Sequence, residues 1–131
     1  MMTRDSRLMQ FDRQKYLNLE TYRRNGSGVK TPVWFVEDEG VLYVRTLANS
    51  GKVKRIRRNS RVRIAPCTVR GELLGAWVEA RAELVEGAQE KRVQQLLKRK
   101  YGIQKIMFDW LGRLNRSQSA TLAIRLIEPE A

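Results

Sequence analysis

The sequence contains no histidine and a single cysteine, Cys67, among its 131 residues. The lack of histidine excludes serine and cysteine triads that use histidine, histidine-ligated metal centres and the commonest proton shuttle. One cysteine cannot form an internal disulfide, and without histidine it cannot complete a structural zinc site. We therefore expect no metal site, and we interpret Cys67 as a half-buried thiol. Any redox chemistry would belong to an organic cofactor.

Long apolar runs are also missing from the sequence. No segment approaches the roughly 18 apolar residues that a membrane-spanning helix needs, and the N-terminus MMTRDSRLMQ lacks the apolar stretch of a signal peptide. We expect a cytoplasmic protein with no membrane partner. Hydrophobic residues make up 42% of the chain and charged residues 31%, which predicts one globular domain over residues 1–131.

Acidic residues are few relative to basic ones, at 14 against 26, so the net charge is +12. A surplus of this size predicts an anionic partner, which could be a nucleic acid, an anionic membrane or a phosphorylated small molecule. The surplus is concentrated between positions 52 and 63, which hold no acid and seven cations: Lys52, Lys54, Arg55, Arg57, Arg58, Arg61 and Arg63.

This basic segment begins with a predicted helix over Lys52 to Arg58. Because the helix would start just after Ser50-Gly51, its free N–H groups and positive dipole end would face the exit of the preceding strand. Hydroxyl groups of Thr46 and Ser50 would lie there with the ammonium groups of Lys52 and Lys54, which predicts a phosphate site. The alternative is a solvated basic face whose Val53 and Ile56 turn to the core.

Alternation of apolar and polar residues predicts six strands, which are Tyr16 to Tyr22, Val29 to Asp38, Val41 to Leu47, Arg61 to Ala65, Ala76 to Glu86 and Thr121 to Ile127. Helical spacing predicts a short helix within residues 3–14 and two longer ones, over 88–101 and 103–114. Pro32 removes a ladder donor, so its strand should lie at an edge or opening. Short turns between strands favour a mainly β fold, a six-stranded antiparallel barrel with flanking helices.

Three segments resemble one family: YLNLETYRRNGSGVKTPVWFV, LYVRTLANSGKVKRIRRNSRVRIAPC and RGELLGAWVEARAELVEG. They resemble the pyridoxamine 5′-phosphate oxidase-like split-barrel superfamily, and within it the group of deazaflavin (coenzyme F420)-dependent enzymes. The resemblance covers roughly Tyr16 to Ile127. It implies a homodimer of FMN-binding-type split barrels, with two cofactor sites at the subunit interface.

The resemblance also implies two groups of cofactor-binding residues. The second strand would run alongside the ring system, through Lys30, Thr31, Pro32, Val33 and Trp34. The end of the third strand and the following loop would hold the phosphate, through Arg45, Thr46, Ser50, Gly51, Lys52 and Lys54. The family's Thr, Ser and Lys spacing is present here, but Gly51 stands where oxidases of the superfamily often carry an arginine. That difference, with the absence of histidine, argues against a true pyridoxamine phosphate oxidase.

The resulting hypothesis is an oxidoreductase that transfers hydride between bound coenzyme F420 and a small-molecule substrate. An FMN-binding oxidoreductase is the first alternative, and a non-catalytic basic barrel that binds nucleic acid is the second and less favoured one. Some side chains have two interpretations. Lys30 could contact the ring or protect a sheet edge, and Trp34 and Trp77 could stack on the ring or fill the dimer core. Arg55, Arg57 and Arg58 could bind a long anionic tail or be solvated.

Overall fold

Alternating apolar and polar residues form one antiparallel sheet in the computed structural model, which describes residues 5–102 and 119–127. The described residues contain seven strands: β1 (Tyr16–Tyr22), β2 (Gly28–Trp34), β3 (Val36–Asp38), β4 (Val41–Leu47), β5 (Arg61–Cys67), β6 (Val78–Val85) and β7 (Ser119–Leu126). They also contain a 3₁₀ helix (Ser6–Phe11) and two α-helices, α1 (Gly51–Arg58) and α2 (Ala88–Tyr101). The predicted helix over 103–114 lies outside the described residues.

The strands follow the order β2-β1-β5-β6-β7-β4-β3 across the sheet. Strands β2 and β3 lie at opposite edges, although Phe35 alone separates them along the chain. The sheet must therefore curl until its two edges approach each other at Phe35. It is not closed by a β2–β3 ladder, since in the described residues β2 pairs with β1 and β3 pairs with β4. This confirms a mainly β antiparallel fold.

The predicted count of six strands is not confirmed, because the segment Val29 to Asp38 forms two strands rather than one. The break falls at Phe35, where helix α2 supplies the hydrogen bonds that a continuous ladder would have made. The Phe35 N–H donates to the Tyr101 hydroxyl at 3.0 Å, and Lys100 Nζ donates to the Phe35 carbonyl at 2.9 Å. The apolar run VWFV continues across the break with no change of pattern. The spacing of apolar residues therefore does not predict that the strand ends at Phe35.

Strand β5 also differs from its prediction, since it continues through Pro66 to Cys67 instead of stopping at Ala65. Its pairing with β6 ends at Ile64, so the proline removes no donor from that ladder. Beyond that point the Leu74 N–H donates to the Pro66 carbonyl at 2.8 Å.

Cys67 is 2% exposed, and burial raises the pKa of its thiol, which fits an inert side chain.

Two hydrophobic clusters stabilise the sheet. The larger lies inside the curl of the sheet and is built from inward residues of the strands, such as Leu19, Val44 and Ile64. The smaller lies between α2 and the strands β3, β4 and β7. Helix α1 turns Val53 and Ile56 inward, and both are at most 3% exposed. No helix of the described residues is long and apolar enough to cross a membrane.

Candidate functional site

The start of helix α1 lies where the sequence predicts it, at the exit of strand β4. The Ser50 N–H donates to the Leu47 carbonyl at 3.1 Å, which closes the turn after the strand. Ser50 is the N-cap residue, with extended backbone, and its carbonyl accepts the Lys54 N–H at 3.2 Å. The first backbone N–H groups of a helix have no intrahelical partner, so this end can bind an anion.

The hydroxyl of Ser50 is buried and has no hydrogen-bond partner among the described residues. A serine at the N-cap normally accepts a hydrogen bond from an N–H of the first helical turn, but this side chain makes no capping bond. A buried polar group left unpaired costs about 1–3 kcal/mol. The Ser50 hydroxyl therefore has hydrogen-bonding capacity that no described residue uses.

Lys52 lies on the first turn of α1, and its Nζ donates to the Thr46 Oγ1 at 3.3 Å. Burial lowers the pKa of Lys52, and the nearby positive charge of Arg55 lowers it further. Both effects disfavour the ammonium form, and an anion at this position would favour it. The other two predicted cations differ, since Arg45 Nη2 donates to Ser119 Oγ at 2.9 Å whereas Lys54 is exposed.

The residues predicted to bind the ring lie on β2, which is an edge strand of the described sheet as Pro32 predicts. Thr31 is half-buried and pairs with Leu19 of β1, and Val33 packs against the larger core cluster. Trp34 stacks on Tyr101, with ring centroids 4.8 Å apart and planes within 10°. One face of the Trp34 ring is therefore occupied by the protein itself.

Asn18 lies directly opposite Pro32 in the β1–β2 register. Its side chain is 5% exposed, and its Nδ2 donates to the Gly71 carbonyl at 3.1 Å. The Oδ1 atom is buried without a partner, and Ser50 Oγ is the other such atom in the described part of the chain. Each predicted half of the cofactor site thus adjoins one buried oxygen that lacks a hydrogen bond.

Four charged residues of alternating sign face each other across β2, β1, β5 and β6, and we call them the charged row: Lys30, Glu20, Arg63 and Glu79. Glu20 is 5% exposed, and Arg63 Nε donates to its Oε1 at 2.6 Å. Burial raises the pKa of Glu20, but hydrogen bonds from Arg63 and Tyr22 outweigh burial and leave it below its usual value. The Trp77 ring lies beside the row, 4.8 Å from Arg63 Cζ and 5.6 Å from Lys30 Nζ.

The structure brings Thr46, Ser50, Gly51 and Lys52 together at one end of α1, whereas the β2 residues contact β1, Trp77 and Tyr101. Strand β1 connects the two groups. Arg55 Nε of α1 donates to the Thr21 Oγ1 at 2.6 Å, and Thr21 pairs with Val29 of β2. The contacts of Thr21 and Asn18 were not predicted, because their hydrogen-bond partners lie far away along the chain. The burial of Glu20 was not predicted either, since the alternation of apolar and polar residues places it on a solvent-facing side of the strand.

No protein-family model matches the chain. No curated protein sequence matches it either.

Solved structures do match over nearly the whole length. The heme storage protein HutZ from Vibrio cholerae has 17% identity and a TM-score of 0.72, over 98% of this chain and 93% of its own. A candidate pyridoxamine 5′-phosphate oxidase from Listeria innocua has 15% identity and a TM-score of 0.67, over 95% and 93%. A structure named F420 reductase has 16% identity and a TM-score of 0.59, over 96% and 97%. The chain therefore has the split-barrel fold of the pyridoxamine 5′-phosphate oxidase-like proteins.

Proposed function

We propose that the protein is an oxidoreductase that binds a flavin-type cofactor, with coenzyme F420 as the first candidate, at the interface of a homodimer. The observation that carries the proposal is the buried hydroxyl of Ser50 at the start of α1, which has no hydrogen-bond partner in the part of the chain that the structure describes. The Thr46–Lys52 contact lies beside it. An anionic oxygen there would accept hydrogen bonds from the hydroxyl and from helix N–H groups. The fold shared with a structure named F420 reductase adds support.

The residues present fit such a group at both ends. The phosphate end would use Arg45, Thr46, Ser50, Gly51, Lys52 and Lys54, and the ring end would use Lys30, Thr31, Pro32, Val33 and Trp34. When bound, the cofactor supplies redox chemistry in which two electrons and one proton pass together as hydride to the substrate. The role of the chain itself would be to bind the cofactor and to orient it. Lys52 would balance the phosphate charge, and the stack of Trp34 on Tyr101 would fix the end of β2.

We do not propose haem storage, the role named for the Vibrio cholerae protein, for this chain. Haem iron is most often held by histidine, and this sequence contains none. The thiol of Cys67 is an alternative kind of ligand, but it is 2% exposed. Because the commonest haem ligand is missing and the one thiol is buried, an organic redox cofactor is the better candidate.

FMN remains the alternative cofactor, because its phosphate would use the same end of α1. The nucleic-acid alternative is disfavoured by the pairing of cations elsewhere in the molecule. Arg61, Arg63 and Arg92 each contact a carboxylate, so they do not form an acid-free track for a phosphate backbone. The cations around the start of α1 are close together instead, which suits one compact anion.

Titration of the purified protein into coenzyme F420 tests the cofactor. We expect the cofactor's fluorescence to be quenched with micromolar-range affinity, and no binding at high cofactor concentration would contradict the F420 proposal. Protein that is yellow as purified, and that releases flavin on denaturation, would favour FMN.

Light scattering tests the homodimer, for which we expect about twice the chain mass of 15.3 kDa. Steeply salt-dependent binding to single-stranded nucleic acid, unaffected by either cofactor, would favour the third hypothesis.

A further inference from the structure

The guanidinium group of Arg55 lies at the beginning of helix α1, although Arg55 itself belongs to the second turn. Side chains on a helix point back toward its N-terminus, so residue 55 overlies residue 51. A β-carbon added to Gly51 would lie 2.7 Å from Arg55 Nη1 and 3.4 Å from its Cζ. A side chain at position 51 would have to displace the end of Arg55, whereas glycine leaves this space to the guanidinium. Gly51 is also the position at which oxidases of the superfamily often carry an arginine.

A buried partner holds Arg55 in this place. Its Nε donates to the Thr21 Oγ1 at 2.6 Å, and Thr21 is 1% exposed. The contact ties α1 to β1 and directs the Nη1 end of the guanidinium to Gly51. A long side chain fixed at its Nε loses little further conformational freedom when its Nη groups bind a ligand.

The charges around Arg55 are positive. Burial lowers the pKa of Arg55, and so do the nearby charges of Arg23 and Arg58. Arg55 in turn lowers the pKa of Lys52. Cations that lie close together repel one another, and an anion bound among them would remove the repulsion.

From this arrangement we infer that Arg55 is an anion-binding residue of the site, placed beside Ser50 and Lys52, and that Gly51 favours this placement because it leaves room for the guanidinium. The inference rests on the proposed function for the kind of anion, a phosphate group. It adds Arg55 to the predicted binding residues. It also assigns Gly51 a steric role, since glycine contributes space here rather than a left-handed backbone.

Two substitutions test this with inorganic phosphate as the probe, so that the result does not depend on the cofactor ring. Arg55→Gln removes the guanidinium, and Gly51→Ala adds a methyl group that displaces Arg55 Nη1 without changing any charge. We expect each to weaken phosphate binding about ten-fold, the usual effect of losing one hydrogen bond to a charged group. Binding is measured by the phosphate-dependent rise in melting temperature and by the NMR signal of the Arg55 Nε–H group.

The double variant Gly51→Ala with Arg55→Gln should bind phosphate no more weakly than Arg55→Gln alone, because the methyl group acts by moving Arg55. Arg57→Gln is the matched control, since Arg57 is exposed on the same helix and its loss removes the same charge. We expect the control to bind phosphate like the wild type. Gly51→Ala should not lower the melting temperature of the free protein, because alanine is the better helix former.

Three results would overturn the inference. They are a wild-type protein that phosphate does not stabilise, variants that bind phosphate as tightly as the Arg57→Gln control, and fully additive losses in the double variant. Failure of the proposed function looks different. Phosphate would then bind in an Arg55-dependent manner, which supports the inference, while neither coenzyme F420 nor FMN binds.

Discussion

Charges are arranged in opposite ways in the charged row and at the start of α1. In the row, signs alternate across neighbouring strands, and the hydrogen bond that Arg63 donates to Glu20 raises the pKa of Arg63. At α1, burial and two neighbouring arginines lower the pKa of Arg55. The charged form of arginine is thus favoured in the charged row and disfavoured at the start of α1. Opposite charges on adjacent strands stabilise a sheet, whereas neighbouring cations that have no carboxylate partner among the described residues repel one another.

The largest effect should come from breaking the charged row at its buried member. Glu20→Gln removes the carboxylate that Arg63 contacts at 2.6 Å, and leaves a guanidinium that is only partly solvated. We expect a loss of about 2 kcal/mol in the free energy of unfolding, measured by urea denaturation. Glu79→Gln is the matched control, because its bridge to Arg61 is nearly half exposed and should contribute less than about 1 kcal/mol. Equal losses of unfolding free energy for both variants would show that burial does not make the Glu20–Arg63 pair more stabilising than an exposed pair.

At the other region, Lys52→Ala should weaken cofactor binding about ten-fold with little loss of stability. The ammonium contacts Thr46 and is near the cation Arg55, so its removal takes away both an anion-binding group and a source of repulsion. Quenching of cofactor fluorescence and urea denaturation measure the two quantities on the same samples. Lys91→Ala, an exposed lysine of α2, provides the control. A large loss of stability without a loss of affinity would assign Lys52 a structural role instead.

A smaller effect should appear when pH is varied. The pKa of Lys52 is lowered from 10.5, so this lysine loses its proton earlier than an ordinary one as pH rises. Anion affinity should therefore fall between neutral pH and about 10, and Lys52→Arg should abolish the fall because arginine stays charged. The stability of the free protein should change with pH in the opposite direction. The unfolded chain binds the proton more tightly, so the Lys52 contribution to stability rises with pH over the same interval.

The smallest effect should be the response to salt. Adding about 0.5 M NaCl screens repulsion between exposed cations near α1, and we expect a gain of about 0.3 kcal/mol in the free energy of unfolding. Arg55→Gln should reduce that gain, because Arg55 interacts with both Arg23 and Arg58. Denaturant titrations at two salt concentrations measure the difference. A salt response that is unchanged in Arg55→Gln would show that the repulsion lies elsewhere.

Local structure was predictable where the interactions are local. Strands β1 and β4 begin and end at the predicted residues, and α1 and α2 match within one residue, because their apolar spacing is strong. The Thr46–Lys52 contact was also predictable, since its partners are six positions apart on a turn and a helix start. The break at Phe35 was not, because it depends on Lys100 and Tyr101, which are more than 60 positions away.

Local sequence patterns were enough to predict that a basic helix follows Ser50-Gly51, that no histidine is present for catalysis or metal binding, and that the strands are antiparallel. Which charges are neutralised depends on how the chain folds. Strand register places Glu20 beside Arg63, and the packing of α1 on β1 places Arg55 on Thr21 and above Gly51. Charge balance depends on distances between residues far apart in the chain, and those distances exist only after the sheet has curled.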